Sequence, residues 1–373
     1  MLWLSQVPCA YDEIVEKHMV GIRDVARKAG VSTSSVSLVI NGTGYVSEQM
    51  RRKVEQAMSD LHYVPNALGR NLSQNRTNIV GIIVPTVRHP FFARLTAHLE
   101  NVLANHGMKT MLCSTIDAAT SEAEYVDMLR CRMMDGIIMG SHTEHDQTYW
   151  SSIQRPVVGF DRVLGPGIAA VNSDHLQGGN LIADLLIATG TRHVVMIGGP
   201  RQQFHDLEPD DDDAETNGKV TTFPTTQYYV QLGRRFQEPG IQHDYIDAGE
   251  VDDLAGYSYA VTSVFDDIAA GSGRYADVDA IVSSDVGASI AVQRAFACGI
   301  RIPEQVQIIA YDGTSQVDLA GMHIAAVQQD FDGLADGLVS RICSLIDGQP
   351  VEDGLIPVIW KPGQTVRTAN IDV

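Results

Sequence analysis

From Ile22 onward the apolar positions recur at helical spacing. In "IRDVARKAG" Ile22, Val25, Ala26 and Ala29 share one face, and Gly30 follows as a C-cap. Ser32 is placed to cap a second short helix, Thr33 to Ile40, whose Val36, Val39 and Ile40 form a buried stripe before Asn41-Gly42 ends it. Ser47 caps a third helix running to about His62, with Val54, Ala57, Met58 and Leu61 inward and Arg51, Arg52 and Lys53 outward. Three short helices, the first two joined by a tight glycine-containing turn, describe a helix-turn-helix unit.

Beyond Thr77 the pattern changes. "TNIVGIIVP" reads as a buried strand, and "TMLCST", "DGIIMGS", "RPVVGFD", "AAVNSD", "HVVMIGG", "DAIVSSD" and "QIIAYDG" repeat the theme. Each is a short apolar run followed by an amphipathic stretch, which predicts a parallel sheet covered on both faces by helices.

The second helix, within "VSTSSVSLVIN", is rich in serine and threonine, residues whose hydroxyls compete for backbone groups and weaken helices. In a helix-turn-helix this element lies in the major groove and its first residues reach base edges. Thr33, Ser34 and Ser37 point away from the apolar stripe, where short hydroxyls can meet phosphates and bases.

Charge sharpens the division. The chain has 373 residues and a net charge of −19, yet residues 20–76 carry eight Lys/Arg against four Asp/Glu, a net of +4. The first nineteen residues carry −2 and the remainder −21. A basic module on an acidic body suits an anionic partner at one end only. With 44% hydrophobic and 20% charged residues the composition is globular, and no window of 18 uncharged apolar residues predicts a membrane span. The five scattered cysteines form no C-x-x-C pair, which speaks against a disulfide framework or zinc site and for a reducing cytoplasm. Residues 1–19 lack the form of a signal peptide, and Met19 is a candidate native start.

The stretch "GIRDVARKAGVSTSSVSLVINGTGYVSEQMRRKVEQAMSDLHYVPNALGRNL" resembles the DNA-binding headpiece of the lac repressor family of bacterial transcription regulators. It shares the D-V-A…A-G-V-S…V-S…N-G core, the "YVSE" opening of the third helix and the Y-x-P-N-A lead into a hinge. Within "GIIVPTVRHPFFARL", "DGIIMGS", "VVGFDR" and "IIAYDG" the likeness continues to that family's effector domain, weakening between about Arg201 and Gly249. The fold expected is α/β, with an N-terminal three-helix helix-turn-helix headpiece and a type I periplasmic-binding-protein-like effector domain of two parallel-sheet lobes. The implied organisation is an extension (1–19), a headpiece (20–64), a hinge (65–76) and an effector-binding and dimerisation domain (77–373).

The resemblance implies specific roles. Thr33, Ser34, Ser37, Leu38, Asn41 and Tyr45 fall at DNA-facing positions. Many members carry arginine where this chain has Leu38, so a guanine contact worth ~1–3 kcal/mol of discrimination is given up. The hinge leucine that wedges into the minor groove corresponds to Leu72, with Arg70 and Arg76 near phosphates. Gly69 stands where alanine is usual and costs the hinge helix ~1 kcal/mol, which makes its order more dependent on DNA. At strand ends, His89, Phe91 and Phe92 match positions that supply a polar contact and aromatic faces to a sugar ring. Asp161 with Arg162, Ser284 with Asp285, Tyr311 with Asp312, and Gln329 complete a set suited to a neutral polyol.

The function implied is a homodimeric repressor of a carbohydrate-utilisation operon, bound to palindromic double-stranded operator DNA and released by a small sugar. The alternatives are a corepressor-type regulator that binds a purine or other metabolite, and a solute-binding protein of a transporter; residues 20–76 argue against the latter. No cofactor, metal or membrane partner is expected, and the sequence holds no G-x-S-x-G, H-E-x-x-H or phosphate loop that would point to an enzyme. Seven acids in 204–219 lack the spacing of a calcium loop and read as a solvated surface segment. "YYVQLGRRF" departs from the family's Arg-x-x-Gly-Phe helix and puts Tyr228 near an arginine that often touches effector.

Overall fold

The computed structural model describes residues 20–42, 44–64, 76–118, 121–141, 145–146, 148–204 and 223–368. The extension (1–19), the hinge positions Arg70 and Leu72, and nearly all of the acidic 204–219 segment lie outside the described residues. The chain divides into two units, one ending at Thr77 and one starting at Asn78.

In the first unit, α1 (Ile22–Ala29), α2 (Thr33–Asn41) and α3 (Glu48–Asp60) close on Val25, Ala26, Val36, Val39, Val54 and Ala57. Ser32 accepts from the Ser35 amide at 3.0 Å and Ser47 from the Met50 amide, so both foreseen N-caps form. Gly42 stops α2 at φ 65°, a conformation that glycine adopts without strain.

The second unit is built of two lobes. The N-lobe takes β1 (Ile79–Val84), α4 (Pro90–Asn105), β2 (Lys109–Ser114), α5 (Glu122–Arg130), β3 (Gly136–Met139), the single turn α6 (Tyr149–Ser152), β4 (Val157–Phe160) and β5 (Ala170–Ser173). The C-lobe takes α7 (His175–Ala188), β6 (His193–Gly198), α8 (Gln227–Gln237), β7 (Gln242–Asp247), α9 (Leu254–Ala270), β8 (Ala280–Ser284), α10 (Asp285–Cys298), β9 (Gln307–Asp312) and β10 (Ala325–Gln328). The chain then returns to the N-lobe with α11 (Phe331–Ile346) and β11 (Gly354–Ile356), and ends in the C-lobe with β12 (Ile359–Lys361).

The two six-stranded sheets repeat one order, β11-β5-β4-β3-β1-β2 and β12-β10-β9-β8-β6-β7, parallel throughout except for the β10–β12 pair. Alternate strand residues face opposite layers. Val195, Ile197 and Ile281 pack beneath α9 and α10, while Val194, Met196 and Val282 pack beneath α7 and α8. The chain crosses between lobes three times, and the crossovers are tied to one another. The Asp174 amide donates to the Ile356 carbonyl at 2.8 Å, and the Ser173 hydroxyl donates to Gln329 Oε1 at 2.6 Å. Among the described residues no helix is long and apolar enough to cross a membrane, and no group of three or more His, Cys, Asp or Glu could hold a metal ion.

Candidate functional site

On the headpiece, Thr33, Ser34 and Leu38 are exposed on α2, on the face opposite Val36 and Val39. Ser37 and Asn41 are half-buried and joined, the Asn41 amide donating to Ser37 Oγ at 3.1 Å, so part of the hydroxyl face is held internally. Leu38 is 38% exposed and Tyr45 is 96% exposed, an unusual exposure for a phenol ring. Around them Arg27, Lys28 and Arg52 pair with Asp24, Asp60 and Glu48, while Arg23, Arg51 and Lys53 form no ion pair within the described residues. Three uncommitted cations beside an exposed hydroxyl-bearing helix can meet a phosphate backbone.

In the second unit a cleft of about 820 Å³ opens at the carboxyl ends of both sheets, where open α/β sheets hold ligands. His89, Phe91, Phe92, Asp161, Arg162, Ser284, Tyr311, Asp312 and Gln329 all line it. Asp285 does not. It is the first residue of α10, buried behind the wall, where it accepts from the Gly313 amide at 3.0 Å and from the Thr314 amide and hydroxyl. Its carboxylate therefore holds the turn after β9 instead of facing a ligand. Burial raises it to about 6 despite those bonds.

The N-lobe wall carries a cluster of phenylalanine rings. Phe91 stacks on Phe160 with centroids 5.7 Å apart and 17° between planes, and meets Phe92 edge-on at 5.3 Å. His89 stands at the N-cap position of α4 without a capping side-chain bond, and its buried Nδ1 has no hydrogen-bond partner; burial pulls the imidazole down to about 4. The C-lobe wall repeats this arrangement with hydroxyls. Tyr228 stacks on Tyr311 at 3.8 Å and 6°, with Tyr229, Tyr245 and Tyr257 also lining the cleft. Burial keeps Tyr228, Tyr229 and Tyr311 neutral, well above the usual phenol range.

Asp161 and Asp312 end equivalent strands, and both adopt positive φ, 43° and 120°, which is rare outside glycine and clusters at functional sites. Gln329 donates to Asp312 Oδ1 at 2.8 Å. Burial and the nearby Asp285 carboxylate hold Asp312 well above the usual carboxylate range. Arg162 donates to the Asp161 carbonyl and lies 4.8 Å above the Phe223 ring; burial brings it down to about 10. At the mouth, Arg88 joins the lobes, with Nε 2.7 Å from Asp117 of the N-lobe and Nη2 2.8 Å from Asp252 of the C-lobe. Hydrogen bonds from the Thr86 hydroxyl and the Val87 amide, with Arg88 beside them, hold Asp117 at about 2.

Sequence reasoning named Tyr311 and pointed to Tyr228 but missed Tyr229, Tyr245 and Tyr257 on the same wall. The signal was present: "QYYVQ" opens the helix after β6 as "PFFAR" opens the helix after β1, so aligning the halves would have exposed it.

Residues 21–66 match the profile of bacterial regulatory proteins of the lacI family. Residues 77–205 match the periplasmic binding proteins and sugar binding domain of that family, and 183–366 a periplasmic binding protein-like domain. The sucrose operon repressor of Streptococcus mutans is 31% identical over 346 residues, covering 92% of this chain and 99% of that protein. The ribose operon repressor of Bacillus subtilis is 26% identical over 351 residues, covering 94% and 99%. Among solved structures, the lac repressor bound to ONPG in its repressed state is similar with a TM-score of 0.74 and 20% identity, covering 93% of this chain and 99% of that one. A headpiece with a hydroxyl-faced second helix, a two-lobed parallel-sheet unit and full-length likeness to such repressors converge: the chain belongs to the lacI family of bacterial regulatory proteins.

Proposed function

We propose that this protein represses a carbohydrate-utilisation operon from the cytoplasm, as a homodimer on a palindromic operator, and is released when a small sugar occupies the cleft. In this reading residues 20–64 bind the half-site, 65–76 form the hinge and 77–373 sense the effector. The observation that carries it is the pairing of aromatic faces (Phe91, Phe160, Tyr311) with convergent oxygen and amide groups (Asp161, Asp312, Gln329) in one cleft between lobes. Such a lining offers ring faces for stacking and acceptors for vicinal hydroxyls, with Arg162 as the donor fork. The names of the relatives, sucrose and ribose operon repressors, point the same way. Thr33, Ser34, Ser37, Leu38, Asn41 and Tyr45, with Arg70 and Leu72 of the hinge, are the residues assigned to DNA.

The protein acts as a binding regulator and not as an enzyme. The acid, imidazole and phenol grouped beside the cleft (Asp161, His175, Tyr311) support this reading, because burial keeps the phenol neutral by raising Tyr311 well above its usual value. Ligand contacts on both lobes favour the closed arrangement over the open one, and that population shift is the signal passed toward the hinge.

The test is fluorescence anisotropy of the full-length protein on a labelled palindromic duplex at fixed salt, titrated with sucrose, D-fructose, D-ribose and a purine base. Release by a sugar is expected. Tightening by the purine, or no binding above the non-specific level, overturns the reading.

A further inference from the structure

The repeated strand order makes β4–β5 of the N-lobe equivalent to β9–β10 of the C-lobe. The residues leaving these strands repeat as well. Phe160-Asp161 answers Tyr311-Asp312, and Ser173-Asp174-His175 answers Gln329-Asp330-Phe331. In each crossover the aspartate caps the next helix, Asp174 accepting from the Gln177 amide at 2.8 Å and Asp330 from the Gly333 amide at 3.0 Å. His175 and Phe331 are thus the same place in the two halves, each the first residue of its helix.

What stands there differs in chemistry. Phe331 packs on Phe91 with centroids 5.3 Å apart, an apolar contact wholly within the N-lobe. His175 is 1% exposed and does not line the cleft, yet it reaches a cleft-lining group of each lobe. Its Nδ1 is 2.8 Å from the Tyr311 hydroxyl in the C-lobe. Its Nε2 lies 3.1 Å from Asp161 Oδ1 in the N-lobe, within ion-pair range though not aligned as a hydrogen bond. Asp161 Oδ1 also accepts from the Ser173 amide at 3.1 Å, so the carboxylate is fixed from the same crossover.

We propose that His175 is a positioning residue for the effector: it holds Asp161 and Tyr311 in register across the lobes and turns the Tyr311 hydroxyl into an acceptor for a ligand O–H. This rests on the reading of the cleft as the effector site. With a carboxylate at Nε2, the neutral ring carries its proton there, and Nδ1 is left as an acceptor. The phenol then donates to Nδ1, and its oxygen can only accept from a ligand. The ring plane of Tyr311 has no freedom to undo this. Tyr228 stacks on it at 3.8 Å, and Gly178 passes so close that an added Cβ would lie 2.5 Å from the hydroxyl oxygen. The ligand class that follows is a polyol with a free hydroxyl at that position; an ether or deoxy analogue there leaves the phenol oxygen without its donor.

The experiment uses full-length protein. Sucrose, D-fructose and D-ribose are titrated by calorimetry into wild type, His175→Phe (the residue the other crossover carries) and His175→Asn, and each variant is also tested for operator release by anisotropy. His175→Phe should weaken binding of the active sugar about ten- to hundredfold, the effect of stranding one buried polar partner. Operator affinity without sugar should stay near wild type, while the melting temperature should fall by a few degrees, because the Tyr311 hydroxyl is stranded in the folded protein as well. His175→Asn, whose amide oxygen can accept from Tyr311, should recover part of the loss, which a purely structural role does not predict. Nitrogen-15 spectra of the labelled ring should show Nδ1 unprotonated in the sugar-free protein; a protonated Nδ1 overturns the inference even where a variant folds poorly. A wild type released by a sugar and matched in affinity by His175→Phe overturns the inference alone. A wild type that none of the three sugars releases overturns the effector reading and this inference with it.

Discussion

Gly178→Ala adds one methyl group where α7 passes closest to Tyr311 of the C-lobe wall. The new Cβ would stand 2.5 Å from the Tyr311 hydroxyl oxygen, 2.9 Å from Cε2 and 3.1 Å from Cζ, against ordinary carbon contacts of about 3.5–4.0 Å. Relief requires roughly 1 Å of movement by Tyr311 or α7. Tyr311 is pinned by Tyr228 on its face and His175 at its hydroxyl, and α7 by the Asp174 cap. Overpacking of a rigid site costs about 2–3 kcal/mol, and replacing glycine inside a helix returns about 1 kcal/mol. The net loss of about 1–2 kcal/mol should lower the melting temperature by about 2–3 °C for a unit of this size. Gly337→Ala in α11 is the control, because there the nearest atoms to the methyl group are Val171 Cγ1 at 3.3 Å, Arg341 Nη1 at 3.6 Å and Ile356 Cδ1 at 3.7 Å. It should be neutral or slightly stabilising. The assay is differential scanning calorimetry of both variants with and without the sugar that releases the operator. A Gly178→Ala protein that melts with the control and binds sugar like wild type would refute the account of a rigid tyrosine wall.

Leu38→Arg should leave the headpiece folded, since Leu38 is exposed with Gly44 beside it, and should shift base preference at one symmetric position per half-site by ~1–3 kcal/mol; selection from a randomised duplex pool reads this. His89 is held neutral by burial, with its value lowered from 6.5 to about 4, so it contributes stability above pH 6.5 that is lost as pH falls through about 4; His89→Phe should flatten that part of a urea-midpoint profile. Asp285 acts oppositely, since its value is raised from 3.8 to about 6: its contribution is complete below pH 3.8 and is lost as pH rises through about 6, a slope that Asp285→Asn should remove. Asp252→Asn breaks the Arg88 tie across the cleft mouth and should weaken sugar binding about two- to fivefold in low salt, with no difference from wild type in 1 M salt.

The headpiece was legible in the sequence because its signals are local. Ser32, Ser47 and Gly42 cap and stop helices through bonds that span only a few residues, and Val36 and Val39 declare their face by spacing. The buried strands were legible for the same reason. β7, "QHDYID", was not foreseen, because it lies at a sheet edge, alternates polar residues and is only half-buried. β11 and β12 are three residues each and gain their identity from pairing with distant strands. Strand-end positions placed Asp161, Tyr311 and Asp312 on the cleft lining, whereas Asp285 lies behind it, because only the fold reveals that Thr314 and Gly313 turn back over it. His175 was invisible for a related reason: its partners are 14 and 136 residues away in sequence, on different lobes.

The unlike walls of the cleft make it a reader of handedness. Stacked phenylalanine rings followed by Asp161 bound one side and neutral phenols with Asp312 bound the other, so a molecule whose two faces are alike gains nothing from being inserted one way rather than its reverse. A pyranose or furanose ring has one face richer in C–H and one richer in O–H, and only one insertion matches both walls. Inverting a single carbinol centre would turn one hydroxyl from the phenols toward the stacked phenylalanine rings, which themselves offer it no hydrogen-bond acceptor. If the cleft holds a sugar as proposed, discrimination between epimers would follow from the divergence of the two half-sites, before any contact at the mouth is made.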